Sequence, residues 1–330
     1  MIAYVSRRLI LALVTIWAIS VISYAIIQLP PGDFVDSYIA NLSSSGSLVS
    51  AQEAEAMREQ YGLNRPIWVQ YWKWISRVVQ GDFGVSLEWN RPVTEVIGDR
   101  IWLTIVISIA AIILTWGIAL PIGIYSAVRQ YSFADYIFTF VGFVGLAVPN
   151  FLLALVVLYL AFRYFDASIG GLFSPAYELA PWSWGKVWDL TLHLPLPALI
   201  LALAGTAQLI RIMRDNLLDE LRRPYVTTAR ARGLPEWRVI MKYPVRAALN
   251  PFASTIGYLL PFVVSGSIVV SLVLSLPTVG PLLLRSLVAQ DMFLAGAIVL
   301  FLGVLTVIGT FLSDLVLMWI DPRIRAGLHG

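Results

Sequence analysis

Six long apolar runs, at about 9–29, 102–127, 136–162, 194–213, 249–276 and 293–319, constrain this chain more than any other feature. Crossing a hydrocarbon core takes roughly 20 apolar residues in a helix, and each run is long enough. Inside lipid an unpaired backbone group has no water to bond, so only helices and closed barrels can span it. Uninterrupted runs of this length read as helices rather than short alternating strands. The expected fold is therefore all-α, a polytopic membrane protein with six transmembrane helices. Only 13% of the residues are charged, against about 25% in an average soluble domain.

The placement of charge says more than its sum, because a net +3 is too small to suggest a nucleic-acid partner. Arg7 and Arg8 precede the first run and Arg129 follows the second. Arg211, Arg214, Arg222, Arg223, Arg230, Arg232, Arg238, Lys242 and Arg246 lie between the fourth and fifth, and Arg323 and Arg325 follow the last. With six crossings all of these fall on one side, which the positive-inside rule makes cytoplasmic. The expectation is a multi-pass membrane protein with both termini cytoplasmic. The first run follows basic residues, as a secretory leader does. It ends in Leu29-Pro30-Pro31-Gly32-Asp33 with no small-x-small cleavage site, so it reads as a retained helix.

Three segments follow: a first transmembrane helix at 1–29, an external loop at 30–101, and a core of five transmembrane helices at 102–330 with a cytoplasmic loop at 214–246. In the external loop Ser50 and Glu53 form a capping-box pattern ahead of a helix over Ala51–Tyr61. A second helix after Pro66 puts Trp68, Tyr71, Trp72, Ile75, Val78 and Val79 at helical spacing, a face for the membrane interface or a protein. Ser43-Ser44-Ser45-Gly46-Ser47 reads as linker. Pro121, Pro149, Pro195, Pro197, Pro261, Gly266 and Pro277 predict bent or broken helices packed around a cavity.

Several chemistries are missing. Without cysteine there is no thiolate metal site or nucleophile. His193 and His329 have no companion ligands, and no G-x-x-x-x-G-K-S/T phosphate loop occurs. The expectation is no catalytic residue, no metal and no cofactor of its own. A proton- or sodium-driven carrier places ionisable groups at membrane depth. Here the runs are nearly bare of them and only Asp314 is clearly internal, near the cytoplasmic end of its run, where helix pairing suits it better than proton relay. A stand-alone secondary transporter or channel and a structural scaffold are the rival readings. Asn150, Gln208, Ser265 and Ser267 are polar side chains at depth, open to two uses, lining a pathway or pairing helices.

In the basic loop, Tyr225 to Arg232 makes about two helical turns, Gly233 suits a left-handed helix end, and Leu234-Pro235-Glu236 opens a new helix. A helix, a sharp corner and a helix result. Tyr225, Arg230, Arg232, Trp237 and Arg238 are available there to plug a groove on a soluble partner, since Arg and aromatic residues are preferred interface anchors.

The order of residues in that loop, YVTTARARGL from Tyr225 to Leu234 and onward to Pro251, resembles the coupling loop of permease subunits of binding-protein-dependent ABC importers. Arg7-Arg8-Leu9, Pro31-Gly32-Asp33, Tyr61 to Pro66, Gln70-Tyr71, Gly81-Asp82-Phe83-Gly84 with Ser86, Arg91-Pro92-Val93 and Asp321 to Arg325 are similar to its dipeptide/oligopeptide (peptide/nickel-type) branch. The sequence departs from the pattern at Thr227, where an acidic residue is common, and around Ser271–Gly280, which keeps Ser275, Pro277 and Gly280 only.

That resemblance implies the type I ABC importer permease fold, set in a prokaryotic inner or plasma membrane. It implies half of a translocation pathway, completed by a homologous second permease subunit, two ATP-binding subunits and an external solute-binding protein, all within membrane lipid. ATP would be bound by the partner subunits. Tyr225, Thr228, Ala229, Arg230, Arg232, Gly233 and Leu234 would dock the ATPase subunit, and Asn150, Gln208, Ser265 and Ser267 would line the pathway. The cargo would be a peptide, with an oligosaccharide or a nickel complex as the alternatives.

Overall fold

The computed structural model describes residues 2–28, 35–36, 39, 50–165, 170–253 and 256–320. Along the chain the helices are α1 (Ile2–Ile27), α2 (Ala51–Tyr61), α3 (Ile67–Val78), α4 (Val93–Val128), α5 (Phe133–Ala147), α6 (Asn150–Phe165) and α7 (Pro175–Glu178). Then come α8 (Trp184–His193), α9 (Pro195–Leu221), α10 (Pro224–Ala231), α11 (Glu236–Lys242), α12 (Pro244–Ala253), α13 (Ile256–Val273), α14 (Val279–Val288) and α15 (Met292–Ile320). They form two compact units, one of residues 2–103 with 278–307, the other of 104–277 with the residues from 308 on.

In the first unit both ends of α2 follow from local chemistry. Ser50 N donates to Glu53 Oε2 at 2.9 Å and Glu53 N donates to Ser50 Oγ at 3.2 Å, the reciprocal capping box. Gly62 at φ +71° ends the helix, and Leu63 N reaches Arg58 O at 2.9 Å. The face expected on α3 divides in two. Tyr71 and Trp74 are buried against α1, whereas Trp68, Trp72 and Val79 are exposed. Ser20 Oγ and Tyr71 OH are 2.8 Å apart, and the Tyr24 ring lies 5.6 Å from Tyr71 and 5.4 Å from Trp74. Gly296 and Gly303, seven residues apart on α15, leave room for Trp74 and Ile19. A Cβ on Gly303 would stand 2.8 Å from Ile19 Cγ2, so these helices meet through small residues.

Asp291, fully buried before α15, caps that helix by accepting Leu294 N at 3.1 Å. It also accepts Ser86 Oγ at 2.5 Å and Glu88 N at 3.2 Å. The segment that begins Gly81-Asp82-Phe83-Gly84 is thereby fastened to the turn between α14 and α15. Arg285 adds an ion pair to Glu88 at 2.6 Å and stacks 4.5 Å from the Trp89 ring centroid.

In the second unit α9 is central and packs on α5, α6, α12 and α13. Gly123 of α4 faces Met213 of α9, where an added Cβ would lie 2.7 Å from Met213 Cβ. Large apolar side chains of α5 and α6, among them Phe140, Phe143, Tyr159 and Phe162, are exposed as lipid-facing residues should be.

Four helices are long and apolar enough to cross a membrane, in the segments Ser6–Ala25, Val93–Val128, Pro195–Leu221 and Met292–Leu312. The expected third crossing is bent at Pro149, as its sequence predicts: α5 and α6 meet at 105° and make at most one broken span. Val148 adopts φ −90°, ψ 121°, the extended conformation a following proline favours. The expected fifth run is shared between α12 and α13, with residues 254–255 outside the described set. Six crossings thus correspond to four spans and one bent pair among the described residues. Pro121 sits within α4 without ending it, the non-helical residue there being Gly98, and Pro195 opens α9 rather than breaking it. Residues Ser43–Ser47, Pro31–Asp33, Asp321–Arg325 and His329 lie outside the described set.

Candidate functional site

At 27 residues α9 is about 40 Å long, longer than a hydrocarbon core of about 30 Å. Its last turns carry charge. Arg211 approaches Asp215 at 3.8 Å, and Arg214 reaches the buried Asp135 of α5 at 3.3 Å. Arg222 and Arg223 then lead into α10, which Pro224 starts at its first turn.

The corner has the geometry its sequence predicts. α10 ends with Arg232 N donating to Thr228 O at 3.2 Å and Gly233 N donating to Arg230 O at 2.9 Å. Gly233 takes φ +74°, and α11 begins at Glu236. Val226, Ala229 and Val239 form a small buried core between the two helices, with Leu234 and Tyr243 packed on it. Outside that core, Arg230 clasps Glu236 across the corner, Nη2 to Oε1 at 2.6 Å and Nε to Oε1 and Oε2 at 3.1 Å. The hydrogen bond from Arg230 holds the Glu236 carboxyl below its usual range, and the same bond raises the guanidinium.

The seven docking residues named from sequence fall into three groups. Ala229 is buried, Leu234 is half-buried, and Arg230 is engaged with Glu236, so these three shape the corner from within. Gly233 makes the turn, and a Cβ there would meet nothing within 4 Å. Tyr225, Thr228 and Arg232 are exposed. Tyr225 OH donates to Glu220 Oε2 at 2.5 Å, and Thr228 Oγ1 donates to Pro224 O at 3.1 Å. Burial first, then the Glu220 carboxylate, push the Tyr225 phenol up to about 12.

Trp237 is 63% exposed with Arg238 stacked 5.4 Å from its ring centroid, and Met241 is 52% exposed, so α11 presents an aromatic, cationic and apolar edge of its own. Sequence reasoning did not single out Glu236 or Met241. Glu236 stands six residues from Arg230, a spacing that pairs nothing on one helix and becomes a contact only once the left-handed corner is made.

Of the four pathway residues, Asn150 and Ser267 lie on helices that pack together. Asn150 opens α6, its Nδ2 lying 3.6 Å from where a Cβ on Gly266 of α13 would be. Ser267, one residue on, is buried and donates to Val264 O at 2.7 Å. Gln208 is exposed on α9, and the Ser265 side chain lies outside the described set. At the other end of α6, residues 170–175 and 273–277 border a cavity of about 580 Å³ that His193 also lines. Gly171 N donates to Leu274 O there at 2.8 Å.

Comparison with known sequences fits this geometry. Residues 119–326 match the family described as "Binding-protein-dependent transport system inner membrane component", and residues 1–108 match its partner description "Binding-prot-dependent transport system membrane comp, N-term". The oligopeptide transport system permease protein AppB of Bacillus subtilis is 36% identical over 98% of this chain and 100% of its own length. The glutathione transport system permease protein GsiC of Escherichia coli is 32% identical over 98% and 99%. OppB of Mycobacterium tuberculosis, named for oligopeptide transport, is 31% identical over 98% of each. End-to-end similarity of this kind, on an all-helical chain with membrane spans and a basic helical corner, makes this protein a member of the binding-protein-dependent transport system inner membrane components, the permease subunits of ABC importers.

Proposed function

We propose that this permease carries peptides delivered by an external solute-binding protein, pairs with a homologous second permease around a shared pathway, and is driven by two ATP-binding subunits that grip the corner between α10 and α11. Both termini are cytoplasmic in this reading, the chain has no ATPase site of its own, and ATP is the cofactor of its partners. The observation that carries it is the corner itself, two short helices fixed by a private core, an ion pair and a left-handed glycine, with Tyr225, Arg232 and Trp237 facing out.

A corner built this way moves as one body. α11 packs on α12, and α12 on α9, whose 27 residues connect the corner to the opposite membrane surface. Closure of the ATP-binding subunits then tilts α9 and the helices packed on it, a rigid-body switch of access. Asn150 and Ser267, on adjoining helices, are the pathway positions this reading favours, with Gln208 and Ser265 beside them as further proposals. The relatives named above act on oligopeptides and glutathione, which supports a peptide cargo.

Reconstitution tests the reading. Proteoliposomes holding this chain, the second permease and both ATP-binding subunits should take up peptide when the loaded binding protein and ATP are supplied, while this chain alone should not. Uptake by the isolated chain would refute the proposal. Uptake by the full assembly of an oligosaccharide and no peptide would replace the cargo and keep the drive.

A further inference from the structure

The first unit holds two hollows on one helical seam. Phe293, Leu300, Phe301 and Val304 recur on one face of α15, and Leu13, Trp17, Ser20 and Tyr24 on one face of α1. At the end remote from Arg7 and Arg8, Tyr24 and Phe293 border a cavity of about 280 Å³ whose rim carries Arg65, Lys73 and Arg77. About 10 Å along the helices from there, Leu13, Trp17, Val78, Val79, Phe301 and Val304 border a second hollow of about 400 Å³. Its lining is apolar except for Ser20, whose hydroxyl is occupied by Trp17 O at 2.7 Å and Tyr71 OH.

The two hollows differ in chemistry as the two ends of a phospholipid differ. Three exposed cations face two carboxylates in the outer cavity, Glu59 and Asp82, and Asp82 Oδ1 already accepts Gly84 N at 2.9 Å. None of the three cations belongs to an ion pair among the described residues. The level is also fixed. α3 packs on Ser20 and Tyr24, at the last turns of the span Ser6–Ala25, and turns Trp68 and Trp72 outward, the depth at which indole rings settle in the headgroup region.

We propose that one anionic phospholipid occupies this seam, its phosphate among Arg65, Lys73 and Arg77 and an acyl chain in the groove between α1 and α15 beneath α3. In the topology proposed above it belongs to the outer leaflet. The lipid is then a structural ligand that completes the contact of α3 with both spans.

Native mass spectrometry of the delipidated full chain, titrated with phosphatidylglycerol or phosphatidylcholine, tests this. Phosphatidylglycerol should bind the wild type tightly and the doubly substituted Lys73→Gln, Arg77→Gln chain about thirtyfold more weakly, the worth of two cations at headgroup level. Arg91→Gln, a cation outside the cavity, should change nothing. Val304→Trp, which fills the groove, should weaken retention of both lipids. A loss under about threefold in the double variant would overturn the proposal. So would equal affinity for the two lipids, or displacement by inorganic phosphate, which marks a site for a free anion. Weaker binding of the solute-binding protein to the double variant, with lipid affinity unchanged, would reassign the surface to that protein.

Discussion

Gly233 allows the sharpest test of the corner, because its conformation and its surroundings call for separate costs and only one of them applies. With φ at +74° and no atom within 4 Å of an added Cβ, a substitution meets no steric neighbour. The whole penalty is then backbone strain, about 1–2 kcal/mol for alanine and up to about 3 kcal/mol for valine, with asparagine nearly free of it. Against this strain the exposed Arg230–Glu236 pair offers only about 0.2–1 kcal/mol, while burial of Val226 and Val239 is worth about 1.5–3 kcal/mol each. The private core therefore survives, and the corner yields between Arg232 and Leu234. A penalty of about 1–3 kcal/mol lowers the occupancy of the native turn about 5- to 150-fold relative to its alternatives. In proteoliposomes holding the full transporter, peptide taken up per ATP hydrolysed should rank Gly233 and Gly233→Asn together, then Gly233→Ala, then Gly233→Val. Wild-type coupling in Gly233→Val, or an asparagine variant as poor as valine, would show that the left-handed turn is not what transmits motion.

Two further outcomes follow from charge. A double-mutant cycle on Arg230→Gln and Glu236→Gln, read by hydrogen exchange at the amides of Gly233–Arg238, should give a coupling of about 0.2–1 kcal/mol that shrinks with added salt. Because the Glu236 carboxyl is held below its ordinary value, that coupling should be present at neutral pH and vanish as pH falls through the lowered value. Asp291 behaves in the opposite sense. Burial raises its carboxyl above the ordinary 3.8 despite bonds from Ser86, Leu294 and Glu88, so the folded chain holds the proton more tightly than the unfolded one. Its contribution to stability is greatest below the ordinary value and falls as pH rises through the raised one. Melting midpoints in detergent should show this slope in the wild type and lose it in Asp291→Asn, and identical slopes would refute the assignment.

Local chemistry was the legible part of this sequence. The capping box of α2 and the left-handed Gly233 each depend on residues within a few positions of one another, whereas Pro195, expected to break a crossing, opens α9 instead. What needed the fold was anything joining distant segments. The single face assigned to α3 divided because Trp74, left out of the pattern, turns to Tyr24 and Gly296. Period alone does not say which half of a wide apolar arc meets protein and which meets lipid. Asp291 gave no signal either, since its importance lies in Ser86, 205 positions away. Pro149 was read as a bend or break, and the 105° angle found there is a magnitude that residue type does not encode. At the corner, the arginines looked alike in sequence; Glu236 separates Arg230, which is engaged within the corner, from Arg232, which faces solvent.

Tyr24 OH meets Met292 Sδ at 3.7 Å across 268 positions, and Ile19 lies against Gly303. α1, already packed on α3, therefore meets α15 only when a segment 268 positions further along has been made. At roughly 5–20 residues per second that is a delay of about 10–50 s, during which the side of α1 that faces α15 stays uncovered. A chain that stopped before α15 would keep α1 against α3 and leave the Ile19 and Tyr24 side of α1 without its partner.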